Sequence, residues 1–112
     1  MSKVQLKGRE RVAVRQFAER VRAVLGASLV ELRLFGSRAR GDAAADTDID
    51  VLVVVSGDRV EAEDRAIDVA FEVNLACDVY ISPRVVTADS LRDPVWRTTL
   101  FVQTLEREGV AL

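Results

Sequence analysis

The chain has 112 residues, of which 49% are hydrophobic and 30% are charged, with 16 Lys and Arg residues against 18 Asp and Glu residues. This size and balance predict one globular domain over 1–112 and exclude intrinsic disorder. The net charge of −2 argues against a dedicated nucleic-acid binder, which would carry a basic face. No apolar run approaches the ~20 residues of a membrane span, and the polar start Met1-Ser2-Lys3 predicts no signal peptide. We therefore expect a cytoplasmic protein.

The chain contains one cysteine, Cys77, and no histidine. An internal disulfide, His-ligated zinc and the Ser-His or Cys-His pairs of nucleophilic catalysis are therefore excluded. An enzyme of this composition has to use carboxylates, hydroxyls, arginines and a bound metal or cofactor.

The first half of the chain predicts a helix, a strand and a polar loop. Apolar residues spaced by three and four predict an amphipathic helix over 7–25, which Gly26 ends. Alternating apolar and charged residues predict a strand over 29–35. The small and polar residues 36–47 predict a short helical turn followed by a loop.

The second half predicts two more strands, separated and followed by helices. The β-branched run 49–55 predicts a central strand buried on both faces, and 59–74 carries the apolar stripe of a helix. Residues 77–82 predict a third strand that Pro83 closes, and Pro94 opens a final helix. The strand–helix–strand unit predicts a right-handed parallel crossover, whereas the direction of the first strand is left open.

Two aspartates stand two positions apart where the second predicted strand begins. Asp48 and Asp50 then leave the strand on the same face, with Cα atoms roughly 6.5 Å apart. Two carboxylates at this distance repel each other unless a cation lies between them, and hard oxygen ligands in this arrangement suit Mg²⁺. Taken alone, the pattern fits a solvated acidic loop better.

A glycine and a hydroxyl follow the first predicted strand. Gly36 and Ser37 would place free backbone N–H groups and a side-chain oxygen at the start of a helical turn, where an anion can bind. Taken alone, a plain turn with Ser37 as the N-cap is the better interpretation. Together with the acids, however, the turn makes sense as a phosphate cradle facing a metal-binding pair. Arg38 and Arg40 flank this cradle, as phosphate contacts or as solvated side chains.

A third acid, Asp78, is predicted at the start of the third strand. If that strand is parallel to the second, Asp78 lies beside Asp48 and Asp50 at one end of the sheet. Three carboxylates there can hold two metal ions ~4 Å apart, one activating an acceptor hydroxyl and one holding a triphosphate.

These residues resemble the signature of a known family. The stretch Gly36-Ser37-Arg38-Ala39-Arg40-Gly41, followed by Thr47-Asp48-Ile49-Asp50, is similar to the Gly-Ser, ten residues, Asp-x-Asp pattern of the nucleotidyltransferase superfamily typified by DNA polymerase beta. The resemblance is to its minimal nucleotidyltransferases and covers nearly the whole chain, with Thr47 in place of the commoner Ser. It implies the α/β (α+β) nucleotidyltransferase fold, a small mixed sheet of three to four strands with helices packed against it. The first strand would then be antiparallel to the second.

The resemblance also implies a role for each site residue. Asp48, Asp50 and Asp78 would bind Mg²⁺, as two ions, and Asp78 would help to activate the acceptor. Gly36 and Ser37 would hold the outer phosphates of ATP.

The resemblance further implies an activity and a partner. Minimal nucleotidyltransferases of this build are typically encoded with a HEPN-domain ribonuclease toxin, and they act as its antitoxin by transferring AMP from ATP to a toxin tyrosine. Only about thirty residues follow Asp78, so we expect an acceptor that is small or lies on another polypeptide. Tyr80 is expected to be packed on its strand, which predicts modification in trans. Two alternatives stay open: an antitoxin that acts by steric binding alone, and a drug-type nucleotidyltransferase of small molecules that works as a homodimer.

Overall fold

Four strands form one mixed sheet in the computed structural model, which describes residues 4–44 and 47–112. The predictions on Met1-Ser2-Lys3 and on loop positions 45 and 46 lie outside the described residues. The strands are β1 (Leu29–Phe35), β2 (Ile49–Val55), β3 (Ile81–Thr87) and β4 (Val110–Ala111). The helices are α1 (Gly8–Leu25), α2 (Ser37–Arg40), α3 (Arg59–Cys77), α4 (Ala88–Arg92), α5 (Pro94–Arg97) and α6 (Leu100–Glu108), with a 3-10 turn at Gly26–Ser28.

The sheet has the order β3-β2-β1-β4. Strand β2 is parallel to β3, as the crossover predicted, and β1 is antiparallel to both β2 and β4. The mixed nucleotidyltransferase sheet that the resemblance implied is therefore confirmed. The register places Phe35 opposite Asp50 and Ile49 opposite Ile81, so the end of β1 and the starts of β2 and β3 share one edge.

Helices cover both faces of the sheet. The larger core lies on the α1 and α3 side and contains fully buried side chains such as Phe17, Leu34 and Val53. A smaller core on the α4 to α6 side joins Leu52 with Leu105. Strand β2 contributes to both cores, which explains its uninterrupted apolar sequence and confirms the prediction of a strand buried on both faces.

The predicted start of the third strand is wrong. Helix α3 continues to Cys77, and Asp78 caps it in the left-handed conformation with φ 54°. Asp tolerates this conformation better than most residues, so the helix ends without the glycine that usually marks such a cap. Pro83 does not close the strand, because β3 is the edge strand of the sheet and an edge position tolerates a residue without an N–H.

The predicted final helix is divided. Pro94 begins α5, as expected, with Asp93 accepting a hydrogen bond from the Val95 amide at 2.8 Å. Helix α5 ends at Arg97, and Thr99 then caps α6. Helix α4 and strand β4 were not predicted, because a five-residue helix and a two-residue strand are too short to show a period. Within the described ranges, no helix is long and apolar enough to cross a membrane.

A single side chain joins the end of α3 to the start of β3. The Asn74 amide nitrogen donates to the Ile81 carbonyl at 3.1 Å, and its oxygen accepts from the Ile81 amide at 2.8 Å. Ile81 in turn lies opposite Ile49, the residue after Asp48. Asn74 therefore fixes the position of β3 beside the start of β2.

We predict that Asn74→Ala lowers the free energy of unfolding by about 1–3 kcal/mol, because two backbone groups of Ile81 lose their partner. Urea unfolding followed by circular dichroism measures the change. Asp68→Ala, on the exposed face of the same helix, is the control and should alter stability by less than about 0.5 kcal/mol. An equal loss in the two variants would contradict the role of Asn74.

Candidate active site

The predicted phosphate turn and the acid pair meet at one sheet edge. Gly36 follows Phe35 at the end of β1, and Phe35 lies opposite Asp50. A Cβ atom at Gly36 would lie 2.6 Å from the Asp50 Oδ2 atom, and the φ of Gly36 is +75°. Only glycine allows the backbone to approach the carboxylate this closely. The sequence prediction that these two motifs face each other agrees with this geometry.

The turn after β1 exposes backbone donors. The Gly36 carbonyl accepts hydrogen bonds from the amides of Ala39 and Arg40, both at 3.1 Å. The amides of Ser37 and Arg38 precede these donors and have no carbonyl of the helix to donate to. Such free N–H groups at the start of a helical turn can bind a phosphate oxygen next to Asp50.

The two carboxylates of the pair differ in their surroundings. Asp48 is exposed, whereas Asp50 is half-buried. Burial raises the pKa of Asp50 above its usual value, the neighbouring Asp48 charge raises it further, and Arg84 opposes both effects. A divalent cation between the carboxylates would relieve the repulsion, and two oxygen ligands with an open, solvated side suit Mg²⁺. The donor set of the pair therefore fits this ion.

Asp78 lies away from the predicted three-acid arrangement. It caps α3 and is exposed, three residues before β3 begins. In the register of β3, the residue opposite Asp50 is Ser82. Across residues 4–44 and 47–112, no group of three or more His, Cys, Asp or Glu side chains is placed to hold a metal ion. Asp78 instead lines a small cleft of about 180 Å³ together with Thr47 and Tyr80.

Tyr80 also lies outside the strand in which it was predicted. It precedes β3, its carbonyl accepts from the Ile49 amide at 2.8 Å, and the residue is 68% exposed. The prediction that Tyr80 is packed on a strand is wrong, so this chain carries an accessible phenol beside the acid pair.

Arg38 is buried, and each of its three guanidinium nitrogens has a hydrogen-bond partner. This argues against its predicted contact with phosphate. Its Nη1 atom pairs with Glu10 at 2.9 Å and donates to the Gln5 carbonyl at 3.2 Å. Its Nε and Nη2 atoms donate to the Thr47 hydroxyl at 3.1 Å and the Thr47 carbonyl at 2.8 Å. Arg38 thus ties α1 to the residue before Asp48 and positions the acid pair.

The partner of Arg38, Glu10, was missed by the sequence analysis. Its burial raises its pKa, but the hydrogen bonds from the Lys7 amide and from Arg38 outweigh this effect, so the pKa is lowered overall. The Lys7 amide donates to the Glu10 carboxylate at 2.7 Å, the arrangement of a capping box. An acid three residues after the predicted helix start was the available signal.

Arg40 lies on the surface and forms ion pairs with Asp42 and Glu108, each at 3.2 Å. Hydrogen bonds to Asp42 and then to Glu108 raise its pKa. Its contact with phosphate stays a prediction.

An arginine and an aromatic cluster beside the acids were also missed. Arg84 lies 5.0 Å from the centroid of the Phe101 ring. The same ring packs edge-to-face on Phe35, at 6.0 Å, and on Trp96, at 6.4 Å. Trp96 is 39% exposed. No local sequence signal joins these residues, because they come from four separate elements.

Comparisons with known proteins assign the chain to a family. The family model described as "Nucleotidyltransferase domain" matches residues 14–111. A protein of Methanocaldococcus jannaschii named "Putative protein adenylyltransferase MJ0141" is 29% identical over 98 residues, covering 87% of this chain and 92% of that protein.

Solved structures share the fold. One described as a "putative minimal nucleotidyltransferase" superposes with a TM-score of 0.55 at 24% identity, covering 95% of this chain and 97% of that one. A toxin-antitoxin crystal structure with AMP-PNP superposes with a TM-score of 0.53 at 21% identity, covering 85% of this chain and 68% of that one.

With the family model matching almost the whole chain, this protein belongs to the nucleotidyltransferase domain family. The prediction of a nucleotidyltransferase is thereby confirmed.

We predict that Gly36→Ala weakens Mn²⁺ binding at least tenfold, because the new Cβ displaces the Asp50 carboxylate. The backbone strain alone should cost about 1–3 kcal/mol of stability. Gly26→Ala is the matched control, since Gly26 also has a positive φ, +53°, but a Cβ atom added there would have no neighbour within 4 Å. Isothermal titration with Mn²⁺ and urea unfolding report the two effects. Equal Mn²⁺ affinities in the two variants would refute the proposed contact.

We predict that Asp50→Asn raises the melting temperature by roughly 2–5 °C at about pH 7 in a chelator. Because the pKa of Asp50 is raised by folding, its ionised form is unfavourable in the native state, and the penalty grows as the pH rises through the folded pKa. The difference should vanish at about pH 3, where both states are protonated. Thermal melts at the two pH values test this, with the exposed Asp68→Asn as control. A lower melting temperature for Asp50→Asn at neutral pH would contradict it.

Proposed function

We propose that this chain is a Mg²⁺-dependent adenylyltransferase that transfers AMP from ATP to a tyrosine of a HEPN-domain ribonuclease toxin, and so acts as its antitoxin. The observation that carries the nucleotide site is the contact of the Gly36 backbone with the Asp50 carboxylate. This contact supports the proposal, because the acid pair that would bind the ion then lies beside the backbone donors of the turn. The reaction is expected in the cytoplasm.

Each part of the edge has a role in this reaction. The Ser37 and Arg38 amides and the Ser37 hydroxyl would bind the outer phosphates of ATP. Asp48 and Asp50 would hold Mg²⁺, which would supply neutralising charge to the phosphates. The exposure of Asp48 leaves one side of the pair open to an incoming hydroxyl.

The transfer itself is a displacement at the α-phosphorus. The tyrosine oxygen forms a bond to this phosphorus, the bond to the oxygen bridging to the β-phosphate breaks, and pyrophosphate leaves. The hydroxyl proton is released to solvent at the open edge. Asp78 caps α3 and has no role in activating the hydroxyl in this proposal.

The protein acceptor is supported by the relatives. The M. jannaschii protein carries the name of a protein adenylyltransferase, and one structural neighbour is a toxin-antitoxin complex with AMP-PNP. The accessible Tyr80 makes self-modification a competing outcome, so the two chains have to be measured separately.

We predict that incubation with ATP, Mg²⁺ and a HEPN-domain toxin that binds this chain adds one AMP to the toxin. Asp48→Asn should reduce the rate by about 10²-fold or more, because one of two ion ligands is lost. Intact-mass measurement of both chains follows the reaction, and Asp68→Asn is the control carboxylate that should transfer at the wild-type rate.

Two outcomes would count against this assignment. Neutralisation of the toxin by Asp48→Asn without any mass change would favour steric binding. A mass gain on this chain alone that disappears in Tyr80→Phe would identify self-modification instead of modification in trans.

A further inference from the structure

The face of the sheet that carries Asp50 also carries a cation. Arg84 lies opposite Leu52 in the register of β2 and β3, one pair further along than Ser82 and Asp50. Side chains alternate along a strand, so Ser82 and Arg84 project on the same face as Asp50. The third strand thus brings a hydroxyl and then a guanidinium to the acid pair.

Arg84 is held in place without being neutralised. It is exposed, its guanidinium lies over the Phe101 ring, and that ring packs against Phe35, the residue opposite Asp50. Within the described part of the chain, Arg84 forms no ion pair within 4.0 Å.

We propose that Arg84 contacts the phosphates of the bound nucleotide, and that Asp48 and Asp50 hold a single divalent ion. This inference rests on the proposed function, since the nucleotide is its ligand. A guanidinium offers phosphate oxygens two donors in a fixed fork, and an unpaired one beside an ion site is placed to receive a triphosphate.

The single ion follows from the same residues. A second ion would need a further carboxylate next to Asp50, and among the residues that the structure describes β3 supplies Ser82 there. The positive charge of Arg84 on this face also disfavours a second cation by direct repulsion. Arg84 would therefore supply the positive charge toward the phosphates that a second ion would otherwise provide.

This assignment predicts opposite effects on two ligands. Removing the Arg84 charge should weaken the binding of ATP, an anion, and should leave unchanged or strengthen the binding of a cation at the acid pair. A purely structural arginine would give a different result, because disorder of the edge would weaken the binding of both ligands.

The experiment compares wild type with Arg84→Met, Arg84→Lys and the control Arg92→Met. Arg92 is another exposed arginine, and it pairs with Asp89 on α4. Mn²⁺ is titrated without nucleotide, by electron paramagnetic resonance, to give affinity and stoichiometry. ATP is then titrated calorimetrically at saturating Mn²⁺, and circular dichroism checks that each variant is folded.

We expect Arg84→Met to raise the Kd for ATP about 10- to 50-fold, and Arg84→Lys to raise it less, since Lys keeps the charge but loses the fork. Mn²⁺ should bind the wild type once per chain, and Arg84→Met should bind it equally or up to about threefold more tightly. Arg92→Met should match the wild type for both ligands.

Three results would overturn the inference. Unchanged ATP affinity in a folded Arg84→Met would remove the phosphate contact, as would a parallel loss of ATP and Mn²⁺ affinity. Two Mn²⁺ ions per wild-type chain would overturn the single-ion site. A wild type that binds Mn²⁺ but no ATP would refute the proposed function itself, and is distinguished from the first result by the wild-type titration.

Discussion

The close approach of Gly36 to the Asp50 carboxylate is the constraint on which the rest of the candidate site depends. It arises because β1 ends, and β2 begins, at the same point of an antiparallel ladder that pairs Phe35 with Asp50. A turn leaving β1 at that point must pass the carboxylate, and only a residue without a Cβ passes it at this distance. The backbone donors of the turn and the acid pair are thereby placed together by the sheet register.

The buried ion pair of Arg38 and Glu10 supports this end of the sheet. Arg38 uses its guanidinium to join Glu10 on α1, the Gln5 carbonyl and Thr47. Removing one member of such a pair commonly costs about 3–5 kcal/mol, because the other charge is left buried and unpaired. The arginine of the Gly-Ser motif therefore acts on the acids through the chain segment that it holds. This also explains why a hydroxyl residue is useful at Thr47, whose Oγ1 accepts from Arg38.

The charges of Asp48, Asp50 and Arg84 at this end of the sheet do not balance. Burial, and then the repulsion from Asp48, raise the pKa of Asp50, and Arg84 compensates only in part. Binding a cation and a polyanion together stabilises such a surface, because the cation neutralises the two carboxylates and the polyanion neutralises the arginine. The fold tolerates the imbalance since α1, α3 and the apolar strand β2 supply the main core away from it.

The sequence by itself determined the elements with a clear period and the motif with a fixed spacing. The amphipathic stripe of α1, the alternation of β1 and the apolar run of β2 are local patterns, and the bounds of both strands were predicted correctly. The Gly-Ser and Asp-x-Asp motifs were identified for the same reason. Their facing arrangement was inferred from the two motifs taken together, whereas the antiparallel pairing of β1 and β2 was implied by the family resemblance.

Only the tertiary structure decided what depends on contacts between distant segments. The left-handed cap at Asp78 moved the start of β3 to Ile81, so that Ser82 and not Asp78 lies beside Asp50. The edge position of Pro83 allows the strand to continue to Thr87. The burial of Arg38 by α1 and the placement of Arg84 over Phe101 have the same origin. A side chain's exposure and partners are set by elements far away in the chain, and local spacing carries no information about them.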